Sequence, residues 1–90
     1  MRYCIRIIGR VQGVSYRKYA AERAVELAVV GFIMNMPDGS VYCEAEGGED
    51  DLQNFIDWCG MGSPFSEVRG MEVSSKEKVG FKVFEIRKNG

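Results

Sequence analysis

Apolar and polar residues follow two different periods along this chain. Five short stretches have the alternation or the apolar content of strands: Tyr3–Ile8, Val29–Met34, Ser40–Glu46, Val68–Ser74 and Phe81–Arg87. Two longer stretches have apolar residues three or four positions apart, which predicts helices over 18–28 and over about 49–60. Pro37, Asp38 and Gly39 form a turn between the second and third strands, so those strands are predicted to pair as a hairpin.

This order of elements predicts one fold class. Strand, helix, two strands, helix and terminal strands are typical of an α+β, ferredoxin-like βαββαβ sandwich. In that fold two helices pack on one face of a mainly antiparallel sheet, here of four to five strands. The 90 residues suit a single domain over residues 1–90, and the 46% apolar content is enough for one core.

The first helix has an inward stripe and a candidate cap. We expect Ser15 to be its N-cap, since serine favours that position. The inward side chains are predicted to be Tyr16, Ala20, Ala24 and Leu27. In the second helix Trp58 lies partly off the apolar stripe, and we interpret it as a packing residue rather than a substrate platform.

The stretch from Gly9 to Arg17 joins the first strand to the first helix. A turn with two glycines before a helix start gathers backbone N–H groups around one point, and these groups bind anions. Arg17, in the first helical turn, adds a planar cation that suits phosphate. The same pattern is also a common structural connection. The spacing matches neither a Walker A loop nor a dinucleotide fingerprint.

Two segments of the chain resemble the signatures of the acylphosphatases. They are Gly-Arg-Val-Gln-Gly-Val-Ser-Tyr-Arg at 9–17 and Gly-Phe-Ile-Met-Asn-Met-Pro-Asp-Gly-Ser-Val at 31–41. The resemblance implies the same fold and hydrolysis of acyl phosphates to a carboxylate and inorganic phosphate. It implies that Arg17 binds the phosphoryl group and that Asn35 holds the attacking water. Phosphate binding is further assigned to the backbone of Gln12, Gly13, Val14, Ser15 and Tyr16, with Arg17, and neither a metal nor a cofactor is expected.

The chain also departs from the family's pattern at several positions. Thr usually stands where Met36 is, and we expect Ser40 to replace part of its support of Asn35. Gly-Phe usually stands at Ser15-Tyr16, and glycine at Ala28. If the helix ends in a left-handed residue at Ala28, the strain is about 1 kcal/mol.

This reaction needs few catalytic side chains. The leaving carboxylate has a pKa of about 4, so it needs no general acid. Because the chain has no histidine, we expect the proton of water to pass to the phosphate itself. The rate would then be flat across neutral pH. Asp38 is interpreted as a turn residue rather than a base or metal ligand.

Composition narrows the possible partners. The net charge of −1 argues against a nucleic-acid or membrane partner, since both need a basic face. No apolar run reaches membrane-span length and no signal peptide is evident, so we expect a cytoplasmic protein. We also expect it to be a monomer. Three cysteines without C-x-x-C spacing predict neither a disulfide nor a zinc site. Alternation places Cys4 and Cys43 on opposite faces of the sheet.

Two other functions stay open at this point. The first is a non-catalytic, ferredoxin-like regulatory module that binds phosphate or another anion. The second is an RNA-binding sheet with Tyr42 exposed, although the RNP pattern and a basic surface are lacking. For the enzyme, inorganic phosphate is expected to be both product and competitive inhibitor.

Overall fold

Five strands and two helices follow one another in the predicted order. The computed structural model describes residues 1–88. The elements are β1 (Arg2–Arg10), α1 (Tyr16–Glu26), β2 (Val30–Asn35), β3 (Val41–Glu46), α2 (Glu49–Met61), β4 (Glu67–Lys76) and β5 (Phe84–Ile86). They form one sheet in the order β4-β1-β3-β2-β5. Every pairing is antiparallel except that of β2 with β5, which is parallel.

Both helices pack on one face of this sheet. Ile5 lies opposite Cys43 and Ile7 opposite Val41, and these four side chains are fully buried. The helices supply Tyr16, Ala20 and Ala24 from α1 and Leu52, Phe55 and Cys59 from α2. Burial of this apolar surface is the main favourable term in folding. The architecture is the predicted α+β, ferredoxin-like sandwich, and its sheet has five strands.

Several element bounds differ from the predicted ones. Helix α1 begins two residues before Lys18 and ends at Glu26. Strand β5 is shorter than the predicted Phe81–Arg87, because the backbone N–H of Phe81 is bonded to the carboxylate of Glu46 and not to a strand. Tertiary hydrogen bonds of this kind leave no local signal in a sequence.

The end of α1 contains the strained alanine that the sequence suggests. Ala28 has a φ of 56°. The N–H of Ala28 donates to the carbonyl oxygen of Val25, and that of Val29 to the oxygen of Ala24. This pair of bonds defines a Schellman motif, whose left-handed position favours glycine. The conditional prediction for Ala28 is confirmed.

Two predictions about side chains on the sheet and α2 are also confirmed. Cys4 and Cys43 face opposite sides of the sheet, and all three cysteines are free and buried. Trp58 packs against the core, with its ring centroid 5.3 Å from that of Tyr16. In the part of the chain that the structure describes, neither helix has the length and apolarity of a bilayer span.

The β2–β3 hairpin sets the position of Asn35. Asn35 pairs with Val41, and Val41 pairs in turn with Ile7. Because directly paired residues face the same side of a sheet, Asn35 lies on the helix-covered face. It lies at the end of the sheet where β1 stops and α1 begins, which brings it near the first signature segment.

Candidate active site

The loop between β1 and α1 is bent by two left-handed residues. Gly13 has a φ of 72° and Ser15 a φ of 60°. Left-handed backbone in a short loop turns successive N–H groups toward one side, which creates an anion-binding concavity. Because α1 starts at Tyr16, its positive dipole end adds to that field.

The backbone N–H groups of this loop are unused within the protein. From Gln12 to Arg17, none donates a hydrogen bond to another group of the described residues; the loop's own contacts are made by side chains and by two carbonyl oxygens. The first N–H groups of a helix have no partner within the helix. We call these six N–H groups the cradle. They are available to an external acceptor.

Arg17 lies at the second position of α1, beside the cradle. Its Nη1 donates to the carbonyl oxygen of Arg87 at 3.1 Å. A guanidinium carries five N–H donors, so this contact orients the group and leaves others for a ligand. The side chain of Arg87 is itself fixed, since it stacks on the ring of Phe32 at 3.8 Å and pairs with Glu85.

Asn35 brings an amide side chain into the same place. The residue is 9% exposed, and its Oδ1 has no hydrogen-bond partner among the described residues. A buried oxygen without a partner costs about 1–3 kcal/mol. Such a group in a native fold needs an explanation, and a bound water or ligand is one.

Arg17 and Asn35 line a single pocket of about 410 Å³. The lining residues are Val11, Gly13, Ser15, Tyr16, Arg17, Lys18, Asn35 and Ile86. Of the side chains that the structure describes, two cations and no carboxylate line the pocket, so its charge favours an anion. The pocket is open to solvent on one side and apolar at Ile86.

The structure separates the predicted phosphate-binding residues into two groups. Gly13, Ser15, Tyr16 and Arg17 line the pocket, whereas Gln12 and Val14 do not. The side chain of Val14 is buried in the core, so only backbone N–H groups of these two residues remain available to a ligand. Tyr16 is likewise limited to its backbone, since its hydroxyl donates to the carbonyl oxygen of Cys59 at 2.7 Å. Burial raises the pKa of Tyr16 far above its ordinary value.

Two predictions about supporting groups have different outcomes. Ser15 occupies the predicted N-cap position of α1, but its side chain makes no capping hydrogen bond. Its left-handed backbone differs from the extended conformation that a capping serine uses. The hydroxyl of Ser40 does not support Asn35, so that prediction is wrong. It donates to Asp38 at 2.6 Å and accepts from Arg6 at 3.3 Å.

Asp38 is a turn residue, as the sequence indicates. Its carboxylate accepts from the hydroxyl and the backbone N–H of Ser40, and it pairs with Arg6. The bonds from Ser40, with the nearby arginine, hold the pKa of Asp38 below its ordinary value. Within residues 1–88 no cluster of acidic and cysteine side chains is arranged to hold a metal ion.

Four residues of the site or its surroundings escaped the sequence reasoning. They are the side chain of Gln12, Lys18, Ile86 and Arg87. Lys18 follows Arg17 directly and could have been found from its place in the first helical turn. The other three act through contacts between distant parts of the chain, and no local pattern indicates them.

Two helices on one sheet face and a group of free loop N–H groups beside an arginine describe an α+β protein with a candidate anion site. Comparison with known proteins identifies the family. The family model described as Acylphosphatase matches residues 3–86. The acylphosphatase of Shewanella amazonensis is 47% identical over 76 residues, which span 84% of each chain. The chain therefore belongs to the acylphosphatase family.

Solved structures agree with this assignment. The crystal structure of acylphosphatase from Bacillus subtilis matches with a TM-score of 0.92 at 38% identity, over 96% of this chain and 97% of that one. An acylphosphatase from Coxiella burnetii also has a TM-score of 0.92, at 26% identity, over 96% and 90% of the two chains. The similarity therefore covers nearly the whole of each protein.

Proposed function

We propose that the pocket between the cradle and the end of β2 is the site at which this acylphosphatase hydrolyses the carboxyl-phosphate bond of acyl phosphates. One observation carries the assignment of residues. The unused N–H groups of the cradle, the guanidinium of Arg17 and the unpartnered oxygen of Asn35 belong to one pocket. A phosphate and a water molecule together would satisfy all three.

The cradle and Arg17 bind the phosphoryl group in this proposal. Backbone N–H groups donate hydrogen bonds to the equatorial oxygens, and the guanidinium adds charge-assisted bonds. Phosphoryl transfer proceeds through a loose transition state, so positioning and charge stabilisation supply most of the catalysis. Arg87 keeps the guanidinium in place through its carbonyl oxygen.

Asn35 positions the attacking water. Its Oδ1 accepts a hydrogen bond from the water, which directs an oxygen lone pair toward phosphorus. An amide does not act as a base near neutral pH. The water proton therefore passes to a phosphate oxygen of the substrate. The P–O bond to the acyl group breaks, and the bonding electrons leave with the carboxylate.

The pocket predicts how the rate depends on pH. Its lining includes no histidine, cysteine or carboxylate, the side chains that titrate nearest to neutral pH. We expect kcat to stay flat from about pH 6 to about pH 8 apart from ionisation of the substrate. A protein-derived pKa near 7 in the kcat profile would contradict the proton route.

Paired substrates test the proposal. Hydrolysis of benzoyl phosphate releases a carboxylate. Hydrolysis of phenyl phosphate releases a phenolate, whose conjugate acid has a pKa of about 10, so its departure needs a general acid. We expect turnover of the first and none of the second. Inorganic phosphate should inhibit competitively and raise the melting temperature. Binding of phosphate without turnover of benzoyl phosphate would instead indicate the non-catalytic module.

A further inference from the structure

We propose that Gln12 is a positioning residue, whose side-chain amide fixes Asn35 relative to the phosphate cradle. This inference rests on the proposed roles of the cradle and Asn35. It differs from the family-based assignment of Gln12, which concerns only its backbone. The side chain of Gln12 points away from the pocket lining and toward the turn that follows Asn35.

The contact is a fork with two short hydrogen bonds. Nε2 of Gln12 donates to the carbonyl oxygen of Met36 at 2.8 Å and to that of Ser40 at 2.8 Å. A primary amide nitrogen has two N–H groups, so both donors are used. The side chain is half-buried, where hydrogen bonds are less exposed to competition from water.

The two acceptors stand at the neck of the β2–β3 hairpin. The N–H of Met36 donates to the oxygen of Ser40 at 2.9 Å, and that of Gly39 to the oxygen of Met36 at 3.1 Å. Each acceptor oxygen therefore receives one bond from the turn and one from Gln12. Met36 follows Asn35 directly in the chain, and its N–H, which belongs to the peptide that begins at Asn35, bonds to the same Ser40 oxygen that Gln12 holds.

Gln12 links the loop to the hairpin beyond the point where strand pairing ends. The pairing of β1 with β3 ends at Ile7 and Val41. Among the described residues, the fork is the only hydrogen-bonded link between the cradle and the hairpin turn. The distance from the bound phosphate to the water held by Asn35 therefore depends on this side chain. Reactive geometry of this kind is sensitive to shifts of about 1 Å.

Glutamine combines the length that this contact needs with two N–H donors. Methionine has a similar length and shape but no N–H group. Glutamate keeps the shape, and its ionised carboxylate would face two carbonyl oxygens with no donor. Once protonated, a carboxyl group donates one hydrogen bond.

The test compares Gln12→Met and Gln12→Glu with wild type and with Gln53→Met. Gln53 lies exposed on α2, where its Nε2 contacts Asp57 at 2.9 Å, so it is a matched control. For Gln12→Met we expect kcat to fall about tenfold while the inhibition constant for inorganic phosphate changes by less than about twofold. Gln53→Met should change neither.

Gln12→Glu adds a pH readout that a purely structural role would not move. Near pH 7.5 we expect a loss of kcat greater than that of Gln12→Met. Relative to wild type, activity should rise as the pH is lowered to about 5 and below, where the carboxyl group begins to regain its proton. This recovery supports a donor role for the side chain.

Three results would overturn the proposal. In the first, kcat of Gln12→Met stays at the wild-type value. In the second, the phosphate inhibition constant rises in step with the fall of kcat, which would make Gln12 a phosphate-binding residue. In the third, both variants fail to fold, which would make the fork a stability element. Turnover of benzoyl phosphate by the wild type is measured first, because its absence would count against the proposed function itself.

Discussion

The two ends of the β2–β3 hairpin each carry a buried polar side chain, but their surroundings differ. At one end Glu46 pairs with Val30, and at the other Asn35 pairs with Val41. Glu46 is 1% exposed and fully bonded, whereas Oδ1 of Asn35 has no partner among the described residues. Each of these side chains lies close to a loop whose successive backbone N–H groups face one side.

The group beside Glu46 is filled by the protein itself. The N–H groups of Val79, Gly80 and Phe81 donate to its carboxylate at 2.5, 3.0 and 3.0 Å. The carboxylate thereby ties the segment between β4 and β5 to the end of β3. Burial raises the pKa of Glu46, but these three bonds outweigh burial and leave the pKa below its ordinary value.

The cradle is the open counterpart of that arrangement. Within residues 1–88 its N–H groups from Gln12 to Arg17 have no acceptor, and no carboxylate lines the pocket. The same backbone chemistry stabilises the fold where the chain supplies the anion. Where the chain supplies none, it leaves the N–H groups open to the phosphate of the proposed site. The comparison predicts that changes at the open end affect activity, and that changes at the filled end affect stability.

The largest effect is expected for Arg17→Ala. Removing the guanidinium takes away the cation to which the proposal assigns the phosphoryl group, so kcat/KM for benzoyl phosphate should fall by about 10³-fold or more. Stabilisation by inorganic phosphate in a thermal melt should be lost as well.

Arg23→Ala is the matched control for this variant. Arg23 lies on the same helix and pairs only with Glu26, at 3.2 Å on the surface. It should keep wild-type kinetics. An Arg17→Ala protein that still turned over benzoyl phosphate at the wild-type rate would place the phosphate elsewhere.

Asn35→Ala should separate turnover from binding. Because Asn35 contacts water and not phosphate in the proposed site, kcat should fall by about 10²-fold with little change in the phosphate inhibition constant. The variant should be no less stable than wild type, since it removes a buried oxygen that lacks a partner. Kinetics and thermal melts on the same preparation check both statements. Full activity would show that the water is held by another group.

The sequence predicts the cradle better than it predicts what holds the cradle in place. Gly13 and Arg17 act through neighbouring residues, so spacing alone indicates a strand, a bent loop and a helix start. Asn35 could be assigned only through the resemblance, because its neighbours also suit an ordinary turn. Strand pairing over long sequence separations then brings it to the pocket, and no local pattern contains that information.

The contacts of Gln12 and Glu46 could not be predicted for the same reason. Gln12 reaches carbonyl groups 24 and 28 residues away, and Glu46 reaches N–H groups 33 to 35 residues away. The missing capping hydrogen bond of Ser15 has a different cause. Its residue type favours capping, but the loop imposes a left-handed backbone that prevents it.

At the filled end, Glu46→Gln should lower stability and leave activity unchanged. The side-chain amide of glutamine is neutral, and its NH₂ group faces backbone N–H donors instead of accepting from them. The charge-assisted hydrogen bonds to the three backbone donors are lost. The expected loss is about 1–3 kcal/mol, the cost of leaving buried polar groups incompletely bonded. Urea denaturation measures the loss, and benzoyl phosphate kinetics serve as the control. A fall in kcat with unchanged stability would reverse the comparison.

The same carboxylate predicts a pH dependence of stability. Its pKa in the folded protein lies below the ordinary value of 4.5. Its contribution is therefore fully present above about pH 4.5 and is lost as the pH falls through the lower, folded value. The stability difference between wild type and Glu46→Gln should shrink as urea titrations move from neutral pH to about pH 3. A constant difference would mean that the charge of Glu46 contributes nothing.

The smallest effect is expected at Ala28, where strain lies outside both groups of N–H donors. Its φ of 56° is unfavourable for alanine and free for glycine, and its N–H is already bonded within the Schellman motif. Ala28→Gly should therefore stabilise the protein by about 1 kcal/mol, or about 5 °C in melting temperature, with unchanged kcat. Ala21→Gly, inside α1, should have the opposite sign, because glycine costs about 1 kcal/mol in a regular helix. If both variants lowered the melting temperature, the larger conformational entropy that glycine gives the unfolded chain would outweigh the strain relieved at Ala28. The left-handed alanine would then cost the folded protein little.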